Sequence, residues 1–280
     1  SSLKSRGKPI INLIPFSEDE KIATFLPLPI SENEWLNKLI IFSTKKGMVR
    51  KNKLIDVAKS GKRDLRETGK LSIKLDKSDE LIGVNLANDN EDILLSTSNG
   101  KCLRFPLKSL RLFSGLNSGG VRGIKLEKNN FLISLSILKH SLIDISIRQE
   151  YLKFSSQNRK LNNKNQRKDF EELNINEEFL LSITTNGFGK RSSAYEYRIS
   201  GRGGKGITGI LTNNKNGRVV DCFVVKEDDQ LILVSDKGQI IRVNVNQIRI
   251  AGRSTQGVSI FKIPKEEVIV SVSRISNLND

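Results

Sequence analysis

The sequence predicts an all-β fold: a propeller-like radial array of four-stranded blades, with one small helical insertion. Three observations carry this reading. A hairpin pattern recurs four times, a glycine-containing element follows each hairpin, and a third apolar strand follows each element. The hairpins are IIFSTKKGMVRKNKL (40–54), ILLSTSNGKCLRFPL (93–107), LLSITTNGFGKRSSA (180–194) and LILVSDKGQIIRVNV (231–245). A period of about 50 residues built from short strands describes units that bury their apolar faces against their neighbours.

The chain opens on RGKPIINL from Arg6, a copy of the glycine element whose own hairpin would lie before Ser1. The first blade is therefore expected to be incomplete, within a single domain spanning 1–280. KIATFLPL (21–28) reads as its third strand, and the acidic connector SENEWLN (31–37) carries Trp35 as a packing anchor. The first hairpin turns at Gly47, followed by TGKLSIKL from Thr68 and ELIGVNL (80–86). The second turns at Asn99-Gly100, followed by GGVRGIKL from Gly119 and NFLISLSIL (130–138). The third turns at Asn186-Gly187, followed by KGITGILT from Lys205 and RVVDCFVV (218–225). The fourth turns at Gly238, followed by QGVSIFKI from Gln256 and EVIVSVSRI (267–275). Asn-Gly and Lys-Gly suit tight hairpins because these residues take positive φ at little cost.

One stretch breaks the rhythm. The hairpin glycines are 53, 87 and 51 residues apart, so the middle gap holds an insertion over 139–178. It loses strand alternation and predicts short helices around 144–156 and 166–173, joined by an Asn/Lys-rich tract. It contains eight Lys/Arg and seven Asp/Glu, so the basic excess belongs to the repeats.

That excess is large: 47 Lys+Arg against 31 Asp+Glu, a net charge of +16. It points to a polyanionic partner, most often nucleic acid. Catalytic machinery is not visible. The single histidine, His140, cannot build a triad or a histidine metal cluster. There is no phosphate-binding P-loop. The carboxylate pairs Asp79-Glu80 and Asp228-Asp229 sit in turns before strands, where turn chemistry explains them. Tyr151, Tyr195 and Tyr197 lie in or beside the insertion and third hairpin, without catalytic company. Cys102 and Cys222 fall in apolar strand patterns and read as buried free thiols. No catalytic residue, metal or cofactor is expected in this chain. No signal peptide or apolar run near 20 residues is present, so a cytoplasmic protein is expected.

The cations are in register. The residue four past each hairpin glycine is basic: Lys51, Arg104, Arg191 and Arg242. Residues i and i+4 of a strand share a side, so each blade should present this charge alike. The glycine elements add Arg6, Lys8, Lys70, Arg122, Arg202, Lys205 and Arg253. Together these residues form a candidate phosphate-contacting belt. Aromatics are scarce and alternate into apolar runs, which disfavours base stacking on single strands. No recognition helix is visible, so backbone contacts to duplex DNA fit best.

RGKPIINLIP, GKLSIKLDKSDELIGV, SNGKCLRFP, GVRGIKL, NGFGKRSSAYEY and IRIAGRSTQGVSIF, in that order, resemble the C-terminal domain of the bacterial DNA gyrase A protein, the β-pinwheel. The resemblance implies a disc of blades that exchange strands, with duplex DNA wrapped around a basic rim. In the whole enzyme, with its own ATP and Mg, the remainder of gyrase A and its gyrase B partner, this wrap supports negative supercoiling. The related topoisomerase IV domain usually carries fewer blades. The family's box, Gln-Arg-Arg-Gly-Gly-Lys-Gly, belongs to the first blade. Ser200-Gly201-Arg202-Gly203-Gly204-Lys205-Gly206 matches five of its seven residues in a late repeat and reads as a degenerate copy. The DNA-cleaving tyrosine and the ATPase are expected outside this chain. Against gyrase stand topoisomerase IV, a basic propeller scaffold for proteins, and an RNA-binding accessory protein.

Overall fold

The computed structural model describes residues 21–58, 72–115, 117–161, 167–264 and 266–276. The expected belt residues Arg6, Lys8 and Lys70 lie outside them. Four antiparallel sheets follow one another along the chain. The first is built on the hairpin β1 (Leu39–Thr44) and β2 (Met48–Lys53), with β3 (Leu81–Ala87) beside β1. The second hairpin is β4 (Glu91–Thr97) and β5 (Lys101–Pro106); its fourth-strand counterpart, β6 (Val121–Arg122), leaves it to pair with β2 of the first blade. β7 (Leu132–Lys139) completes the inner side of the second sheet.

The same exchange recurs. β8 (Phe179–Thr184) and β9 (Phe188–Ser193) form the third hairpin, β10 (Ile207–Thr208) pairs back onto β5, and β11 (Val219–Val225) lies beside β8. β12 (Gln230–Ser235) and β13 (Ile240–Asn244) form the fourth, β14 (Val258–Ser259) pairs back onto β9, and β15 (Ile269–Ile275) lies beside β12. The glycine element of the second, third and fourth repeats is thus the fourth strand of the blade before it. The fourth sheet has three described strands, and β13 is its outer edge.

The turn glycines behave as their sequence context requires. Gly47, Gly100, Gly187 and Gly238 all have φ between 73° and 83°, a region closed to most L-residues. In the first three, the glycine carbonyl accepts two backbone N–H groups of the exchanged element: Gly123 and Ile124 at Gly47, Gly209 and Ile210 at Gly100, and Ile260 and Phe261 at Gly187. Each third strand slips register against its hairpin near the turn, at Ser43/Thr44, Ser96/Thr97, Val219/Asp221 and Val234/Ser235. Such bulges sharpen local twist and recur at the same place in every blade.

Residues 21–28, expected as a strand, form none. Leu26 and Leu28 instead pack against the cluster of Ile40, Phe42, Leu54, Val57 and Ile73, with Trp35. Trp35 ends a short helix α1 (Glu32–Trp35) and donates its indole N–H to the Pro29 carbonyl at 2.9 Å. Helix α2 (Leu54–Ala58) follows β2.

The insertion holds α3 (Ile145–Leu161) and a short turn at 168–170 leading into α4 (Glu171–Ile175). It is pinned by an aromatic cluster. Tyr151 meets Phe170 and Tyr195 edge-on at 5.5 and 5.7 Å, and the Tyr195 hydroxyl donates to the Leu173 carbonyl. The two tyrosines are therefore packing residues that fasten the insertion to the third blade. Cys102 and Cys222 are buried free thiols in one cluster with Tyr197.

The third strands surround a cavity of about 620 Å³ lined by residues such as Asn85, Ser136, Asp221 and Arg274. Burial pushes the Asp221 carboxyl up to about 7, although its Oδ1 accepts the Cys222 N–H at 2.7 Å. The folded chain thus keeps a proton that the unfolded chain releases from about pH 4 upward, so stability falls as pH rises toward 7. Asp221→Asn keeps the hydrogen bond and removes the titration. It is expected to leave the melting temperature unchanged at pH 4 and raise it at pH 8. An equal shift at both pH values would refute this.

Candidate nucleic-acid interface

The first finding is a correction. Lys51, Arg104 and Arg191 do not face solvent; they are 5%, 4% and 5% exposed. Each reaches across the joint to the next repeat. Lys51 Nζ donates to the Leu107 carbonyl at 3.0 Å and to Asp89 at 3.1 Å. Arg104 donates to the Ala194 carbonyl at 2.9 Å and, within its own blade, to the Lys139 carbonyl at 2.7 Å and to Asp92 Oδ2 at 2.8 Å. Arg191 donates to the Ile248 carbonyl at 2.7 Å and to that of Asn246 at 3.4 Å.

Each takes an acceptor, Leu107, Ala194 or Asn246, from the equivalent short turn at 107–109, 194–196 or 245–247, just after the next hairpin. These cations are latches buried in the joints between blades. The physical reason is that a middle blade is covered on both faces, so sharing a side does not mean facing water. Arg242 has no described blade after it; it is exposed and donates to Gln230 Oε1 at 2.7 Å.

The exchange elements are different. They stack on one another from blade to blade. Lys74 N donates to the Ser118 carbonyl at 3.4 Å, Lys125 N to that of Gly204 at 2.9 Å, and Leu211 N to that of Thr255 at 3.0 Å. Two arginines repeat the link through side chains. Arg202 donates to the Arg122 carbonyl at 3.3 Å, and Arg253 to that of Thr208 at 3.0 Å. Arg122, Arg202 and Lys205 are exposed and Arg253 is half-buried, so one continuous ridge carries all four.

Ser200–Gly206, the box-like segment, forms the middle of this ridge and overlies a cleft of about 240 Å³ that Arg198, Gly201, Gly204 and Lys205 help to line. Gly203 N donates to the Gly123 carbonyl at 2.6 Å, which brings its backbone onto the preceding element.

Sequence reasoning missed a further stripe. Arg111, Arg198 and Arg249 occupy the same place, eleven residues past hairpin glycines 100, 187 and 238, and all three are exposed. The residue after each, Leu112, Ile199 or Ile250, bridges to the latch cation of the preceding blade. The signal was in the sequence at constant spacing, but outside the hairpin where the register was sought.

The carboxylate pairs serve turns. Asp79 Oδ1 accepts the Lys46 and Glu80 N–H groups, and Asp229 Oδ2 accepts that of Lys226. His140 Nδ1 lies 2.6 Å from Asp92 Oδ1, beside the Arg104 latch. Among the described residues no cluster of three potential metal ligands exists, and no helix is long and apolar enough to cross a membrane.

Comparison with known proteins agrees with this architecture. The family described as DNA gyrase C-terminal domain, beta-propeller, matches residues 91–139, 178–226 and 229–276, just over half of the chain. The chain is 40% identical over its whole length to the DNA gyrase A protein of Rickettsia bellii, of which it covers 32%. Against the DNA gyrase A protein of Escherichia coli it is 31% identical over 97% of the chain, covering 26% of that protein. It thus spans about a quarter to a third of the length of these two relatives.

Among solved structures, a C-terminal domain of DNA topoisomerase IV superposes with TM-score 0.72 at 22% identity, covering 96% of this chain and 70% of that one. A DNA gyrase A C-terminal domain superposes with TM-score 0.68 at 20% identity, covering 97% and 76%. These two likenesses show the shared fold. With the strand-exchanged blades and the profile match over three successive repeats, the chain belongs to the DNA gyrase C-terminal domain family, a β-propeller.

Proposed function

We propose that the chain binds duplex DNA along the exchange ridge and wraps it around the array, as the C-terminal part of a gyrase A protein. The observation that carries this reading is the direct succession of Arg122, Arg202 and Arg253 along hydrogen-bonded exchange elements. Lys205 and the stripe of Arg111, Arg198 and Arg249 add to it. A path of closely spaced cations suits a stiff polyanion, because each phosphate contact offsets part of the bending cost. Among the described residues no helix lies on the ridge, so contacts go to the backbone and carry no sequence choice. In the whole enzyme the remainder of gyrase A and its gyrase B partner would supply the cleaving tyrosine and the ATP- and Mg-dependent chemistry. The wrapped segment would then bias strand passage toward negative supercoils, in the nucleoid of the cytoplasm.

Duplex-binding titrations at several salt concentrations test the surface. Arg198→Gln and Arg202→Gln are each expected to reduce the salt slope by roughly one unit and to weaken all duplex sequences alike. An unchanged slope, or an altered base preference, would refute the assignment. Wrapping is tested by incubating the chain with relaxed circular plasmid, resealing with a nicking-closing enzyme and reading the linking number. No change in linking number would limit the chain to binding.

A further inference from the structure

The residue before each latch cation, three past the hairpin glycine, points toward the exchange loop of the next repeat. In the third blade it is Lys190, whose side chain is fully buried. Its ammonium donates to the carbonyls of Gly252 at 2.6 Å, Arg253 at 2.7 Å and Thr255 at 3.1 Å, with the Thr255 hydroxyl at 3.3 Å. In the first blade it is Arg50, which donates to the carbonyl and hydroxyl of Ser118, the residue equivalent to Thr255. In the second blade it is Leu103, and the equivalent loop residue is Gly204, where a side chain would meet Leu103 Cδ1 at 3.6 Å. Two joints therefore hold their exchange loop from beneath with a buried cation, and the joint under the box-like segment does so with a leucine.

We infer that Lys190 is a positioning residue: by gathering the carbonyls of Gly252–Thr255 it holds the loop in the shape that presents Arg253 to a DNA phosphate. The inference rests on the proposed DNA-binding reading. A loop whose carbonyls converge inward turns its other edge outward, and Arg253 leaves from that edge toward the Thr208 carbonyl on the ridge. Glu196 completes the hold by accepting the Arg253 N–H at 2.7 Å.

Burying a lone ammonium is unfavourable, and burial pulls Lys190 down to about 8. The titratable groups around it are Glu196, Arg253 and the thiols Cys102 and Cys222. The four oxygens give the cation a function that an apolar residue could not fill: bringing carbonyls together requires a donor with several protons. Lys190 does not touch DNA in this arrangement, since its side chain is enclosed.

The test compares Lys190→Met, Arg253→Ala and the double variant of the full chain. Without DNA, amide hydrogen exchange in 252–257 should quicken about tenfold in Lys190→Met, while the β8–β9 ladder stays protected. With duplex DNA, Arg253→Ala and Lys190→Met should each weaken binding about threefold, and the double variant should be no weaker than either, because both remove one contact. Unchanged exchange in the loop overturns the inference whatever DNA does. Additive losses in the double variant, or a loosened loop with full affinity while Arg253→Ala binds weakly, also overturn it. If Arg253→Ala binds as tightly as the parent, the phosphate role of Arg253 fails and this inference fails with it, while the loop exchange still reports whether Lys190 shapes the loop. Should Lys190→Met not fold, Lys190→Gln, uncharged with two donors, takes its place under the same criteria.

Discussion

Arg104→Met is expected to destabilise the chain by about 3–5 kcal/mol, because it strands a buried carboxylate. The Arg104 side chain is 3% exposed and Asp92 is fully buried, with their atoms 2.8 Å apart. Methionine keeps much of the stem but donates no hydrogen bond. Asp92 then retains His140 alone as a side-chain partner, and the Ala194 and Lys139 carbonyls lose a charged donor. A buried carboxylate that has lost its guanidinium partner is the costliest of these, and the second and third blades share the damage. For a chain of this size the melting temperature should fall by roughly 10 °C. Arg242→Met, at the equivalent exposed position, should stay within about 0.5 kcal/mol of the parent. Thermal melts of both variants, with salt titrations of duplex binding under folding conditions, decide the matter. If Arg104→Met melted like the parent and instead lost one unit of salt slope, Arg104 would be a phosphate contact and the latch assignment would be wrong.

Arg104 also shows what the sequence could and could not disclose. The recurrence of hairpin, glycine element and third strand was plain, because turns need particular residues and Gly47, Gly100, Gly187 and Gly238 supply them. The constant basic residue four places past each glycine was equally plain. Its role was not, because alternation along a strand assigns a residue to a side without saying what covers that side. β5, which carries Arg104, is buried at four successive positions, so both of its faces are packed, whereas β13 alternates between exposed and half-buried.

The partner of Arg104, Ala194, is 90 residues away, and no local pattern announces such a pairing. The ridge cations Arg122, Arg202, Lys205 and Arg253 were found because glycines flagged their element. Arg111, Arg198 and Arg249 were overlooked because they follow a short turn that has no strong residue signature. Loss of alternation marked the insertion in the sequence, but its anchoring through Tyr151, Phe170 and Tyr195 joins segments far apart in sequence.

Gly100→Ala is expected to have a comparably large effect, for a different reason, and the other hairpins provide its scale. A methyl group at Gly100 would lie 2.2 Å from the Ile210 carbonyl oxygen; at Gly187 it would lie 2.5 Å from that of Phe261, and at Gly47 3.0 Å from that of Ile124. At Gly238 nothing lies within 4 Å. All four glycines share a left-handed φ, so alanine meets a conformational cost of about 1–2 kcal/mol at every one.

The remainder depends on the exchanged element. At Gly100 the methyl can be accommodated only by moving Gly209 and Ile210, whose N–H groups bind the Gly100 carbonyl at 2.8 and 3.2 Å. That displacement would open the joint between the second and third blades. The expected losses are therefore about 1 kcal/mol at Gly238 and about 3–4 kcal/mol at Gly100, with Gly47 and Gly187 between them in that order. Denaturant unfolding of the four alanine variants measures the series. Four equal losses would show that only the turn conformation matters, and that the exchanged element does not press on the hairpin tip as the structure places it.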